Sequence, residues 1–442
     1  MALSIAGSDS CAGAGIQADL KTFSALGVYG CTVITAITAQ NTMEVSSISE
    51  IDVDTVKKQI QSIMIDITPD AIKIGMVYNK SVIQLLCDLL KGSKKPIVLD
   101  PIFAAGSGGK LLLDDALDHF ISELVPISTL ITPNLMEAEK LTGLQIKSYS
   151  DAIESASLIK KFGAKNVIIK GCRFGRKFVT DVLLDSKDNL VKICNLHLQI
   201  KEIHGSGCTF SAAATAFLSK GFKMVDVCQL ANQYVNNAIK NAITLGKGLD
   251  VSNPISSFYE DANRHNVLHS LQCAINKIHL LDRFGILVPE TQSNIVFALP
   301  DARSIHHIAG VKGRVIKIGH MARAASLVEF GASIHVASAI LAYMTNNRLI
   351  RSAMNIKFDN KILSICQSLF PLSEYDRHAE PIHMKELEGK SVFWGIKHAL
   401  EKNPTSEVIY HKGDIGKEPM TIIFGTDPMN VISKIEKILK RY

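Results

Sequence analysis

The stretch His204-Gly205-Ser206-Gly207-Cys208-Thr209 ends a polar loop and opens a long apolar run from Phe210 to Leu218. Two glycines let the backbone bend closely round a ligand, and the N-terminus of the helix that follows offers unpaired N–H groups to an anion. The spacing predicts a phosphate-binding turn with Gly205, Ser206 and Gly207 as its anion hole. A second glycine-rich segment, running from Ala6-Gly7-Ser8-Asp9 through Cys11-Ala12-Gly13-Ala14-Gly15 to Asp19, follows the apolar run Leu3–Ala6. It therefore falls at the carboxyl end of a sheet, where open α/β sheets bind ligands. Three further positions carry charge at element ends. Asp100 closes the apolar run Ile97–Leu99, Lys170 closes Val167–Ile169, and Asn134 to Glu137 reads as a helix start with a favourably placed acid.

The elements that must position these residues show a clear rhythm. Up to about Leu245, short apolar runs at Leu3–Ala6, Thr32–Ile37, Ala71–Ile74, Ile97–Leu99, Thr129–Ile131 and Val167–Ile169 alternate with helical patterns at Ile16–Leu26, Val53–Ile67, Ser81–Leu90, Leu135–Leu141 and Asp151–Phe162. That alternation predicts an α/β fold, a doubly wound, mainly parallel sheet with helices on both faces. A hairpin of Phe178–Leu184 with Val191–His197 leads into the phosphate turn. Between Gly246 and Asn266 the pattern lapses into a polar connection, which places a boundary near residue 260, with domains over 1–258 and 265–442. The second is a smaller mixed α/β domain, with an amphipathic helix through Leu268, Leu271, Ile275, Ile278 and Leu281. Strands are expected at Asn294–Leu299, Val315–Ile318, Val408–Tyr410 and Thr421–Phe424, and helices at Ser333–Met344 and Val392–Lys402; the last helix opens at Asp427-Pro428.

Composition bounds the function. A chain of 442 residues is too long for one ordinary core, and 47% hydrophobic with 20% charged residues suits a folded enzyme. A net charge of +6 without a dense basic block suits phosphorylated metabolites and argues against nucleic acid. Nine cysteines without a C-x-x-C pair fit reduced thiols. With no secretory signal and no membrane-length apolar run, a cytoplasmic protein is expected.

Taken together, the opening glycine segment, Ile37-Thr38-Ala39-Gln40-Asn41-Thr42, Thr132-Pro133-Asn134-Leu135-Met136-Glu137 and the phosphate turn resemble the hydroxymethylpyrimidine/phosphomethylpyrimidine kinases of thiamine biosynthesis, members of the ribokinase superfamily. The resemblance covers roughly residues 1 to 250. It implies ATP as phosphoryl donor with Mg²⁺, and a homo-oligomer with a dimer favoured. Gln40 would read the aminopyrimidine edge through an amide that donates and accepts at once, with Gly7, Ala14, Asp19, Thr38 and Met76 lining the same pocket. Asn134 and Glu137 match the family's N-x-x-E motif on the nucleotide side, where the carboxylate helps hold Mg²⁺; Asp100 is the second metal candidate and Lys170 an ATP-phosphate candidate. Ribokinase-like enzymes usually carry a catalytic aspartate where this chain has Cys208. The expectation is that the helix N-terminus lowers the thiol pKa and that Cys208 takes the general-base position; a small buried thiol is the alternative. The chain departs from the family pattern at Cys11-Ala12-Gly13, at Lys170-Gly171-Cys172-Arg173 and at Phe103 to Lys110, which is no Walker A.

In the second half, Gly310-Val311-Lys312-Gly313-Arg314, Gly331 to His335, Arg351 to Asn355, Tyr375-Asp376-Arg377 and Lys412-Gly413-Asp414-Ile415-Gly416-Lys417-Glu418-Pro419 together resemble the thiamine-phosphate synthase domain fused behind this kinase, mainly in archaea. By that resemblance Arg314 and His335 serve synthesis, the guanidinium clamping pyrophosphate and the histidine acting as acid or anion ligand. Asn355, Asp376, Arg377, Lys412, Gly413 and Lys417 are further phosphate candidates. The bland readings are a strand-end surface arginine and a histidine inside a helix lined by Ile334, Val336 and Ile340. The small-molecule substrates implied are hydroxymethylpyrimidine, its phosphates and thiazole phosphate. Two other readings are a second half that only senses thiamine phosphate, and a first half that acts on pyridoxal.

Overall fold

Alternating apolar residues send each central strand of the first half into two cores at once. Along Val167–Cys172, Val167 and Ile169 are buried on one side and Ile168 on the other; along Ile97–Leu99, Ile97 and Leu99 face one core and Val98 its opposite. Such strands form only where helices cover both faces of the sheet. The computed structural model, which describes residues 1–106, 108–175, 177–198, 203–380, 390–414 and 417–442, shows this arrangement. Ser107, Ile415 and Gly416, which fall in segments singled out above, lie outside the described residues.

The sheet of the first unit, Met1–Tyr259, contains β1 (Ala2–Asp9), β2 (Gly30–Gln40), β3 (Val45–Glu50), β4 (Ala71–Ile74), β5 (Ile97–Leu99), β6 (Leu130–Ile131), β7 (Val167–Cys172), β8 (Phe178–Leu184) and β9 (Leu190–Leu196). Their order is β3-β2-β1-β4-β5-β6-β7-β8-β9, parallel from β2 to β7 and antiparallel at both edges. Helices α2 (Val53–Asp66), α3 (Lys80–Leu90), the single turn α4 (Leu117–His119), α5 (Leu135–Thr142) and α6 (Tyr149–Lys161) cover one face. Helices α1 (Gly15–Ala25), α7 (Ser206–Ser219) and α8 (Met224–Lys240) cover the other, and a separate parallel pair, β10 (Ile203–His204) with β11 (Asp250–Val251), flanks α7 and α8 in sequence. The strand order reverses beside β1, so the loops leaving β1 and β4 diverge and open a crevice at the carboxyl edge.

The second unit, Glu260–Tyr442, is built on β12 (Ile295–Ala298), β13 (Ile308–Val311), β16 (Val328–Phe330), β17 (Ser352–Lys357), β18 (Leu372–Glu374), β19 (Val408–His411) and β20 (Met420–Gly425), with a separate hairpin of β14 (Val315–Ile318) and β15 (Met321–Ala324). The sheet order is β16-β13-β12-β17-β20-β19-β18, antiparallel except between β18 and β19. Helix α9 (Ser256–Leu280) begins inside the stretch expected to be a polar connection. No glycine or proline interrupts it, and Val267, Leu271, Ala274, Ile275 and Ile278 bury one stripe. Among the described residues no helix is long and apolar enough to cross a membrane.

Under the sheet lies an ion pair with no exposure at all: Lys73 Nζ on β4 meets Asp19 of α1 at 2.5 Å, and Ser4 Oγ donates to the same carboxylate at 2.6 Å. Burial works against the lysine's charge, but the charges of Asp19 and Asp100 and the hydrogen bond to Asp19 outweigh it and raise its pKa. Removing one partner of such a pair leaves an uncompensated buried charge. Lys73→Met is therefore expected to lower the unfolding free energy of the first unit by about 3–5 kcal/mol, with Asp19→Asn in the same chain recovering part of the loss. Chemical denaturation of the native chain and these two variants checks this.

Candidate active site

Asp9, at the end of β1, organises the opening glycine loop. Its Oδ1 accepts from Cys11 N (2.8 Å) and its Oδ2 from Ala14 N (2.8 Å) and Gly13 N (3.0 Å). The same Oδ2 lies 3.1 Å from His204 Nε2, which in turn lies 3.2 Å from the amide nitrogen of Gln40. Burial alone would raise the Asp9 pKa; the bonds from His204, Ala14 and Cys11 reverse that and hold it below the usual carboxylate value. The turn before α7 packs directly on this loop. Gly205 has φ +82°, and a Cβ there would collide with the carbonyl oxygen of Gly13, so both conformation and contact require glycine. The first intrahelical bond of α7 runs from Thr209 N to Gly205 O (2.9 Å), leaving the N–H groups of Ser206, Gly207 and Cys208 ahead of it.

These loops wall a cavity of about 600 Å³. Gly7, Ala14, Thr38, Gln40 and Met76 line one part; Asp100, Asn134, Glu137 and Lys170 line another, and the Gly205–Cys208 turn lies along it. Of the residues expected in the first unit's site, Asp19 is the exception. It is fully buried, its carboxylate committed to Lys73 and Ser4, and it does not line the cavity.

The charged wall is built from strand ends. Asp100 Oδ1 accepts from Thr132 Oγ1 (3.0 Å) and lies 3.3 Å from Lys170 Nζ, while Oδ2 accepts from Ser211 Oγ of α7 (2.8 Å). Burial opposes its charge, but Lys170 and Lys73 hold its pKa down. Asn134 and Glu137 form a complete capping box at the start of α5: Glu137 N donates to Asn134 Oδ1 (2.9 Å) and Asn134 N to Glu137 Oε2 (2.7 Å). Burial pushes Glu137 up to about 7, with the Asp100 charge adding to the rise and Lys170 opposing it. Glu137 Oε1 takes no hydrogen bond among the described residues, and no group of three or more metal-ligating side chains exists among them. Oxygen donors with one free carboxylate oxygen fit Mg²⁺, a hard cation that keeps water and phosphate ligands and needs few from protein.

In the second unit the candidates divide. Arg314 sits at φ +72° in the turn between β13 and β14, exposed, and its Nη1 donates to the carbonyl of Thr291. His335 is the exposed first residue of α10 (His335–Met344), not a residue inside a helix, and Ser333 just before it packs over Gly310 of β13. Asn355 is corrected to a brace: it is buried, its Oδ1 accepts from Asn294 N (2.7 Å) and its Nδ2 donates to Gln292 O (3.0 Å), so both ends are spent on backbone. Gly413 spends its N–H on His411 Nδ1 (3.1 Å), and Asp376 caps a turn by accepting from His378 N (2.9 Å), so neither offers a donor to phosphate. Arg377 is buried, 3.7 Å from Glu380, whereas Lys412 and Lys417 are exposed.

Comparison with known proteins bears on both units. Residues 9–253 match the family model described as phosphomethylpyrimidine kinase, and residues 270–437 that described as thiamine-phosphate synthase ThiN. The bifunctional thiamine biosynthesis protein ThiDN of Methanocaldococcus jannaschii is 32% identical over 444 residues, spanning 100% of this chain and 98% of that protein. The chain belongs to the bifunctional thiamine-biosynthesis family, a phosphomethylpyrimidine kinase joined to a thiamine-phosphate synthase. A hydroxymethylpyrimidine/phosphomethylpyrimidine kinase of Rhizobium meliloti is 42% identical over 251 residues, 56% of this chain and 94% of that protein. Among solved structures, the ADP complex of Bacillus subtilis pyridoxal kinase aligns with a TM-score of 0.54 at 34% identity, covering 58% of this chain and 98% of that one. The pyridoxal kinase of Staphylococcus aureus with AMP-PCP and pyridoxal gives 0.53 at 33%, covering 58% and 93%. The first unit of this bifunctional family member is accordingly ribokinase-like.

Sequence reasoning missed a second polar wall of the kinase cavity. Asp181 accepts from Gly171 N (2.8 Å) and Asn232 Nδ2 (2.7 Å), and Asn195 Nδ2 donates to Asn232 Oδ1 (2.6 Å); all three side-chain bearers line the cavity. The available signal was an acid inside the apolar strand Phe178–Leu184. The expectation of an acidified Cys208 is also corrected. Burial pushes its thiol up to about 12, with Asp100 and Asp19 adding to the rise and only Lys73 and the Gly15 N–H opposing it. A helix N-terminus lowers a thiol pKa where the thiolate is partly solvated; here desolvation wins. Titrating the 240 nm absorbance of the native chain against Cys208→Ser should give no thiolate difference between pH 6 and 9. A step in that range would restore the thiolate base.

Proposed function

We propose that the first-unit cavity phosphorylates hydroxymethylpyrimidine and then its monophosphate from ATP, and that the second unit condenses the resulting diphosphate with thiazole phosphate, releasing pyrophosphate. The observation that carries this reading is the convergence in one cavity of Gln40, the anion turn Gly205–Cys208 and the Asp100–Lys170–Glu137 wall, brought from elements far apart in sequence. The kinase domain is assigned to residues 1–258 and the synthase domain to 265–442.

Gln40 reads the aminopyrimidine edge, with Thr38, Gly7 and Met76 closing the ring's surroundings; a Cβ on Gly7 would lie 2.7 Å from Met76 Sδ, so the wall is packed against the backbone itself. The substrate hydroxyl points toward Cys208, whose neutral thiol orients it by hydrogen bonding. The N–H groups of Ser206, Gly207 and Cys208 meet the charge that develops on the transferred phosphoryl group. Lys170 neutralises phosphate oxygens, and its bond to Asp100 fixes where it reaches. Glu137 and Asp100 would hold Mg²⁺, which would supply positive charge to neutralise the nucleotide phosphates. In the second unit Arg314 clamps the leaving pyrophosphate and His335 donates to its oxygen while the thiazole nitrogen bonds to the pyrimidine methylene carbon.

The raised Glu137 pKa sets a pH dependence. Below about 7 the carboxyl is protonated and neutral, so a cation must displace the proton. The apparent Mg²⁺ affinity in hydroxymethylpyrimidine phosphorylation should rise as pH goes from 6 to 8 and level off above that. Glu137→Gln should weaken the affinity and flatten the dependence. Mg²⁺ titrations of the initial rate at each pH check this; a slope unchanged in Glu137→Gln removes Glu137 from the metal site, and no phosphorylation of the pyrimidine under any condition removes the substrate assignment.

A further inference from the structure

Arg314 owes its placement to an unusual scaffold. Its backbone is left-handed at φ +72°, next to Gly313 at +73°, and among the described residues its guanidinium is anchored by a single acceptor, the carbonyl oxygen of Thr291. Five N–H donors in a rigid fork with one bond spent leave the remainder for a ligand. The orientation of that fork therefore depends on where the Thr291 peptide is held.

Three separate elements grip the short loop that contains Thr291. The loop turns through Gln292 N to Pro289 O (3.0 Å), with Gln292 at φ +67°. Asn355 on β17 takes the Gln292 carbonyl (3.0 Å), and Ser293 exchanges both backbone bonds with Val315 of β14 (3.2 and 2.7 Å). The Thr291 peptide itself is held by Glu418. This carboxylate reaches across 127 residues of sequence to accept from Glu290 N at Oε1 (2.9 Å) and from Thr291 N (3.1 Å) and Thr291 Oγ1 (2.5 Å) at Oε2. Both oxygens are thus committed to the loop whose next carbonyl carries Arg314. A carboxylate accepting three donors is a strong local anchor, since bonds to a charged acceptor are roughly twice as strong as neutral ones.

We infer that Glu418 is a positioning residue for the synthase reaction, fixing the Thr291 peptide so that the Arg314 guanidinium presents its free donors to the departing pyrophosphate. The inference rests on the assignment of Arg314 to pyrophosphate. Glu418 touches no substrate in this scheme and acts only through Thr291 and Arg314. An amide at 418 cannot replace it, because its NH₂ group would face one of the three donors.

The experiment is a double-mutant cycle on the full chain, with steady-state synthase kinetics on supplied pyrimidine diphosphate and thiazole phosphate. Glu418→Gln in the native background is expected to lower kcat/KM for the diphosphate on the order of tenfold to a hundredfold, the scale on which misplaced groups act. In an Arg314→Lys background the same change should cost no more than about twofold, because the fork it orients is gone. Thr291→Val should follow Glu418→Gln and Thr291→Ser should retain most of the native rate, a comparison that stands even if Glu418→Gln folds poorly. Equal losses from Glu418→Gln in both backgrounds, or equal rates for Thr291→Val and Thr291→Ser, would overturn the inference while leaving Arg314 in place. A full-rate Arg314→Lys enzyme would remove the Arg314 assignment, and the inference with it.

Discussion

The carboxylate of Asp9 ties together the two glycine loops on which the kinase cavity depends. Three backbone N–H groups of one loop and the imidazole before the other meet on its two oxygens. Bonds of this charge-assisted kind contribute about 1.5–3 kcal/mol each, and a buried donor left without its acceptor costs a comparable amount. The contact between Gly205 and Gly13 then fits because neither chain has a side chain to insert. From this one junction follow the position of His204 beside Gln40 and the direction of the N–H groups at the start of α7.

The electrostatics of the site are built to wait for ligands. Lys73 is fully buried and Lys170 only partly exposed at the cavity wall; both are raised above the ordinary lysine pKa, and Asp19 and Asp100 sit against them. Glu137 is the member whose protonation lies near neutrality, so the metal and the nucleotide phosphates arrive at a wall with one adjustable charge. Cys208, at the head of α7, stays a neutral thiol in this field. Phosphoryl transfer through a loose transition state asks mainly for position and charge neutralisation, and a strong base at the hydroxyl is not required early in the reaction.

Much of the first unit was legible because its sheet is covered on both faces: strands such as Ile97–Leu99 and Val167–Ile169 read as continuous apolar runs. The turn at Gly205 was legible because positive φ and close approach both demand glycine. What escaped depends on partners distant in sequence. Asp19 sits in the opening motif, yet its lysine partner is 54 residues away, and Asp181 meets Asn232 across 51. The Cys208 thiol pKa depends on burial that no local spacing reveals. In the second unit, β13 and β17 carry small and polar residues, as in Ile308-Ala309-Gly310-Val311 and Ser352-Ala353-Met354-Asn355, so they lack the apolar run of a buried strand. Asn355 was a phosphate candidate only through the family resemblance of its segment, which does not reveal that its amide is buried against the backbone of Asn294 and Gln292.

The two halves form a chemical sequence in which the kinase makes the electrophile that the synthase consumes. The junction at Asp9 should matter to the first step alone. Asp9→Asn removes the charge from the four-way contact while keeping its size, and thiamine phosphate formation can be started either from hydroxymethylpyrimidine with ATP or from the pyrimidine diphosphate. The expected result is a large loss, on the order of a hundredfold, when the reaction starts from hydroxymethylpyrimidine, with the rate from the diphosphate unchanged. Equal rates from hydroxymethylpyrimidine in Asp9→Asn and the native chain would contradict a kinase cavity organised by this carboxylate.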